Sequence, residues 1–172
     1  DSIENMLTST VSGLVSGHAG EQQHLDEETF HAATAHLSGS LFTSAQLLAL
    51  EREAPALTTG ELTDKMTETL RSNYARREAQ VNELLAPLFR DGREPMRELE
   101  RVVLLRVVDE YWMDHIDAMT ELRQGIGLRA YGQSDPVVEY KREGFDMFEQ
   151  MVAAIQEETL RRLFTARVKS NE

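Results

Sequence analysis

The chain has 172 residues, a formal charge of −12, 41% hydrophobic and 6% aromatic content, and no cysteine. That length suits one sizeable core or two small ones, and the negative balance argues against nucleic acid as the main partner, because phosphate binding needs a basic face. The absence of cysteine excludes a disulfide framework, a thiolate nucleophile and a Cys-based zinc site.

Leu, Ala, Glu, Arg and Met outnumber the residues that favour strands, so an all-α protein with little or no sheet is expected. The first segment enters helical spacing at once, with Ile3, Met6, Leu7, Thr10, Val11 and Leu14 on one side. It reads as the end of a helix continuing from a longer protein, weakened and then ended by Gly13, Gly17 and Gly20 near residue 17. Asp26, followed by Glu27, Glu28 and Thr29, is an N-cap signal for a short helix to about His36, and 37–50 is ambiguous. From Glu61 a long helix follows on Leu62, Met66, Leu70, Tyr74, Val81, Leu84 and Leu85, closed by Pro87 and Asp91-Gly92.

Beyond Pro95 the spacing of Leu105, Val108, Trp112, Ile116, Met119, Leu122 and Ile126 predicts a helix of about 30 residues, about 45 Å long. Asp135 as N-cap and Pro136 at the first position open another, with Phe145, Phe148, Val152, Ile155 and Leu163 near one face, running to about Val168. Two such helices with a short join are expected to pair antiparallel and bury their stripes against each other. Trp112, Ile116, Phe145 and Phe148 are the expected packing residues, and Trp112→Ala should cost about 3 to 5 kcal/mol if that ring is buried.

The join, ELRQGIGLRAYGQSDP, holds Leu128, Arg129 and Tyr131 where a plain turn would hold small polar residues. Between Arg123 and Arg142, four basic residues face two acidic ones, Asp135 and Glu139, against the sign of the whole chain. Gly125, Gly127 and Gly132 are expected to loosen the end of the helix. Tyr131 offers an amphipathic face suited to contact without sequence specificity. The competing reading is a hydrophobic plug, Leu128 and Tyr131 folding back on the helix ends.

The stretch MRELERVVLLRVVDEYWMDHIDAMTELRQGIGLRAYGQSDPVVEYKREGFDMFEQM resembles the two-helix finger of the SecA family, the motor ATPases of bacterial preprotein translocation. The resemblance implies the C-terminal end of a long scaffold helix at 1–25, a helical wing domain at 26–95, the finger at 96–168 and a tail at 169–172. It further implies that the tip (Leu128, Arg129, Tyr131, Gln133) contacts the SecY channel complex and the unfolded preprotein, and that the finger regulates the motor domains of its own parent chain. A peripheral location on the cytoplasmic face of the bacterial plasma membrane goes with it. The family tip pattern Leu-Arg-Gly-Tyr-Ala-Gln, then a basic residue and Asp-Pro, is altered here at Ala130, Gly132 and Ser134. The roles of Arg129 and Tyr131 carry over, whereas that of the missing basic residue does not.

No glycine is followed by lysine, so a phosphate-cradling G-x-x-x-x-G-K-[ST] loop is absent from the sequence. This piece is therefore expected to hold no cofactor and to be no enzyme, with ATP and Mg bound elsewhere in the parent. His18, His24, His31 and His36 invite a metal reading, but steps of six, seven and five do not bring a pair onto one helical face, so solvated or capping roles are expected. His115 beside Asp114 and Asp117 has no accompanying nucleophile or oxyanion arrangement. The rival to a translocase segment is a free-standing helical adapter or dimerisation module. No stretch is apolar enough to be a good membrane span, and with no signal peptide at Asp1 a cytosolic protein is expected.

Overall fold

A computed structural model describes residues 2–129 and 135–168, with the side chain of Arg129 outside that set. Among the described residues the regular structure is helical, apart from one isolated parallel bridge between Ser38 and Phe42, as the all-α expectation requires. Helix α1 (Ser2–Ala19) passes through Gly13 and Gly17 without a break and stops at Gly20. Of these three glycines Gly20 alone takes a left-handed backbone, at φ 56°, as a helix C-terminus favours. The expected end near residue 17 is thus moved by two residues.

Helix α2 (Glu27–Thr34) starts where Asp26 accepts the Thr29 N–H at 2.7 Å. That bond, with further hydrogen bonding from Thr29, holds the Asp26 carboxyl below its usual range. The ambiguous stretch resolves into a 3-10 turn, Ala35–Leu37, and helix α3 (Ser44–Glu53). The start of α3 is set by a capping box in which Thr43 and Gln46 satisfy each other's backbone N–H at 3.1 and 3.0 Å. A second box, Thr58 with Glu61, opens α4 (Thr59–Leu85) two residues ahead of the expected start. Pro87 lies in the 3-10 turn Ala86–Leu88, and Gly92 turns the chain at φ 79°.

The two longest helices are α5 (Pro95–Arg129, 35 residues) and α6 (Pro136–Thr165, 30 residues). Asp135 caps α6 by accepting the Val137 N–H at 3.0 Å, with Pro136 in the first turn as expected. The core gathers Val11 from α1, Phe30, Leu41 and Phe42 from the segment after it, and Leu62, Met66, Leu70 and Val81 from α4. Only the roots of the hairpin enter it, through Met96 on α5 and Leu160 and Leu163 on α6.

α5 and α6 form the most extensive helix pairing of the fold, which agrees with an antiparallel hairpin. Their buried seam keeps Leu122 and Ile126 of the expected stripe and departs from it over the middle of the hairpin. Val107, Leu122 and Ile126 face inward with Gly144 and Met151, whereas Trp112, Ile116, Phe145 and Phe148 are 47%, 50%, 61% and 42% exposed. The packing role assigned to these four is corrected accordingly. The physical reason is that α5 is apolar around much of its circumference, so three-and-four spacing fits two adjacent faces and periodicity alone does not choose between them. Gly144 is part of the true seam: a Cβ there would stand 2.9 Å from the Met119 methyl, so its bare backbone lets the helices approach.

Candidate functional site

At the far end of the hairpin α5 is helical through Gly125 and Gly127 to Arg129. Leu128 is 84% exposed and does not fold back as a plug. The Arg129 side chain, Tyr131, Gly132 and Gln133 lie outside the described residues. Just below the end, Arg123, Ile126, Pro136, Val137 and Tyr140 line an open cleft of about 400 Å³ between the last turn of α5 and the first of α6. Arg142 is paired with Glu139 at 2.6 Å.

Along the hairpin runs an uncovered apolar belt. On α5 it comprises Val102, Leu105, Val108, Trp112, Met113 and Ile116, and on α6 Phe145, Phe148 and Val152. The His115 ring joins the two halves, lying 5.5 Å from Trp112 and 6.0 Å, edge-on, from Phe148. Large apolar side chains exposed in this number along one hairpin make it a candidate contact surface.

At the opposite end, α4 meets both roots. Tyr74, 5% exposed, donates its hydroxyl proton to Glu100 at 2.5 Å, and its ring meets Phe164 of α6 edge-on at 5.8 Å. Glu100, 8% exposed, also accepts from Arg97 at 2.9 Å, and Arg97 pairs with Glu78 at 2.7 Å and Glu94 at 3.5 Å. Burial pushes the Glu100 carboxyl above its usual range, against the Tyr74 hydrogen bond and the Arg97 charge. Burial, then the bond to Glu100, likewise drives the Tyr74 hydroxyl pKa well up. One turn along α4, Arg77 donates to the carbonyl of Leu163 at 2.9 Å and to that of Ala166. These are the carbonyls of a helix end that lack partners of their own, and burial lowers the Arg77 pKa.

This arrangement has known relatives. Residues 1–167 match the family described as the SecA Wing and Scaffold domain. The chain belongs to the SecA family. It is 41% identical over 170 residues to the protein translocase subunit SecA of Caldicellulosiruptor saccharolyticus, covering 99% of this chain and 18% of that protein. It is 40% identical over 173 residues to SecA 1 of Clostridioides difficile, covering 99% and 17% respectively. With SecA of Desulforudis audaxviator the identity is 60% over 95 residues, 55% of this chain and 9% of the other. The chain therefore spans about a fifth of the length of these SecA proteins, and it is a wing-and-scaffold portion by family.

Within this SecA segment the remaining candidates part company. The His18 Nδ1–H donates to the Leu14 carbonyl at 2.9 Å and that of His24 to the Leu57 carbonyl at 2.7 Å, while His31 faces Glu51 at 3.4 Å and His36 donates to Glu157 at 2.6 Å. The four histidines thus go to four different partners. No group of three or more His, Cys, Asp or Glu able to hold a metal occurs among the described residues. His115 stands between two aromatic rings, with Asp114 and Asp117 exposed. No helix among the described residues is long and apolar enough to cross a membrane. Sequence reasoning missed the root cluster. Its one legible trace is Glu100, an acid in phase with the buried Met96 and Val107 and the partly buried Val103.

Proposed function

We propose that this chain is the non-catalytic end of a scaffold helix (1–25), the wing (26–95) and the two-helix finger (96–168) of an ATP-driven protein translocase. The far end of the hairpin, at Leu128, Arg129, Tyr131 and Gln133, contacts the polypeptide in transit and the SecY channel. ATP and magnesium bind in the remainder of the longer protein, whose motor domains the finger restrains, at the cytoplasmic face of the membrane. The observation that carries this reading is the shape of the apolar surface. The hairpin is rooted in a core at one end, projects its basic-rich end away from it, and leaves a belt around Trp112 and Phe148 uncovered. The belt supplies the face on which the rest of the longer protein packs, and the projecting end is free to work.

The test places a single cysteine at Tyr131 in the full-length protein, with any other cysteines removed, and assays cross-linking to a substrate stalled in the channel. An ATP-dependent cross-link at position 131, absent from a control cysteine at the exposed Glu68 of α4, is the expected result. Equal failure at both positions with translocation intact would reject substrate contact by the hairpin end.

A further inference from the structure

We infer that Tyr74, Arg77 and Glu100 are positioning residues that fasten both roots of the hairpin to α4, so that the aim of its far end follows the orientation of that helix. The inference rests on the reading that the far end is the working part. Tyr74 and Arg77 are three residues apart and therefore neighbours on the α4 surface. Tyr74 holds the entering helix through Glu100, in the second turn of α5. Arg77 holds the returning helix through the carbonyls of Leu163 and Ala166, at the last turn of α6. The Tyr74 ring also touches Phe164, so this one side chain meets both helices.

Two attachments on different helices do what one cannot. With a single bond the hairpin could pivot about it; with two, tilt or roll about either root stretches the other, and hydrogen bonds weaken steeply outside a narrow range of distance and angle. The lever is long. From Glu100 to Arg129 the helix spans about 44 Å, so a tilt of about 5° at the root moves the far end by about 4 Å. Apolar contacts alone could hold the roots together without the desolvation cost of a buried carboxylate and phenol. What the polar contacts add is direction, since a satisfied buried network admits one geometry where an apolar seam admits sliding.

The experiment is a distance distribution between spin labels at Glu68 on α4 and Gln124 near the far end of α5, both exposed, measured in this chain beside its thermal unfolding. The double variant Tyr74→Phe, Arg77→Met should broaden the distribution by about 3 Å, the displacement of a 5° tilt over the roughly 36 Å from Glu100 to Gln124, while the protein remains folded. Restoring a donor with Arg77→Lys should narrow it again. Leu47→Ala, a core truncation in α3 away from the roots, should lower the melting temperature without broadening the distribution. An unchanged width in the folded double variant, or equal broadening by Leu47→Ala, overturns the inference. The cross-link at position 131 reports separately: broadening without any cross-link leaves the fastening intact and rejects the working-end reading, and a cross-link without broadening does the reverse.

Discussion

Single side chains in α6 show how polar groups near the hairpin root act on stability in opposite directions. The Thr159 hydroxyl is fully buried and finds no hydrogen-bond partner among the described residues. An unsatisfied hydroxyl costs about 1 to 3 kcal/mol, and valine replaces it with a methyl of similar shape. Thr159→Val should therefore stabilise the chain by about 1 kcal/mol, raising the melting temperature by about 2 to 4 °C for a protein of this size. A lowered melting temperature would show that the hydroxyl is satisfied after all. Glu158 sits one residue earlier and accepts hydrogen bonds from Arg161 and Arg162, which draw its carboxyl down to about 2 against the penalty of partial burial. Its folded pKa lies below its unfolded one, so its contribution is whole above the ordinary carboxylate range and disappears as the pH falls toward that value. The guanidinium partners are partly exposed, and screening reduces the contribution to about 1 kcal/mol. Glu158→Gln should make the stability of the chain less sensitive to acid below about pH 4.5. Glu100 works in the other sense, because its raised pKa favours the fold at low pH and that contribution is lost as the pH rises through the folded value. Denaturant titrations of the two variants, Glu158→Gln and Glu100→Gln, should therefore show pH slopes of opposite sign relative to the parent, and slopes of the same sign would reject the assignment.

At the scale of elements, the distinction that matters is which face of α5 is a seam and which is a surface. Leu163→Ala removes a fully buried side chain at the root and should cost about 2 to 5 kcal/mol. Trp112→Ala removes a half-exposed ring from the belt and should cost about 1 kcal/mol or less in this chain. Thermal unfolding of both variants checks the ranking, and a reversed order would return Trp112 to the seam. The helix starts were largely legible in the sequence, because caps are local chemistry. Asp26 and Asp135 bond N–H groups within three residues, and Pro136 needs only its own ring. The capping boxes at Thr43 and Thr58 were equally local, but the first lay inside a stretch read as ambiguous and the second just ahead of the expected helix start at Glu61. The face of α5 was legible toward its far end, at Leu122 and Ile126, and not over its middle, where two adjacent apolar stripes satisfy the same period. The root cluster was less legible still. Tyr74 and Glu100 are separated by 26 residues, and Arg77 bonds backbone carbonyls, which leave no mark on side-chain composition. The end of the hairpin at Tyr131 was marked by composition and resemblance, and its geometry lies outside the described residues.

For the whole molecule, the acidic surface and the apolar belt pull in different directions. A net charge of −12 makes copies of this chain repel one another, while the belt around Trp112, Ile116, Phe145 and Phe148 exposes large apolar side chains to water. Both are reconciled if the belt meets a neutral or apolar face of the remaining four-fifths of a SecA-length protein, where the charge is spread over a larger surface. Trp112 is the single tryptophan of the sequence and lies in that belt, so it reports on its own covering. In this chain its emission should be red-shifted and open to acrylamide, a neutral quencher that the acidic surface does not repel. In the full-length protein, with any other tryptophans replaced by phenylalanine, the emission should move to the blue and the quenching constant should fall severalfold. Equal quenching in both would mean that the belt stays in water in the intact protein, and the rest of the chain would then have to engage the hairpin through its roots alone.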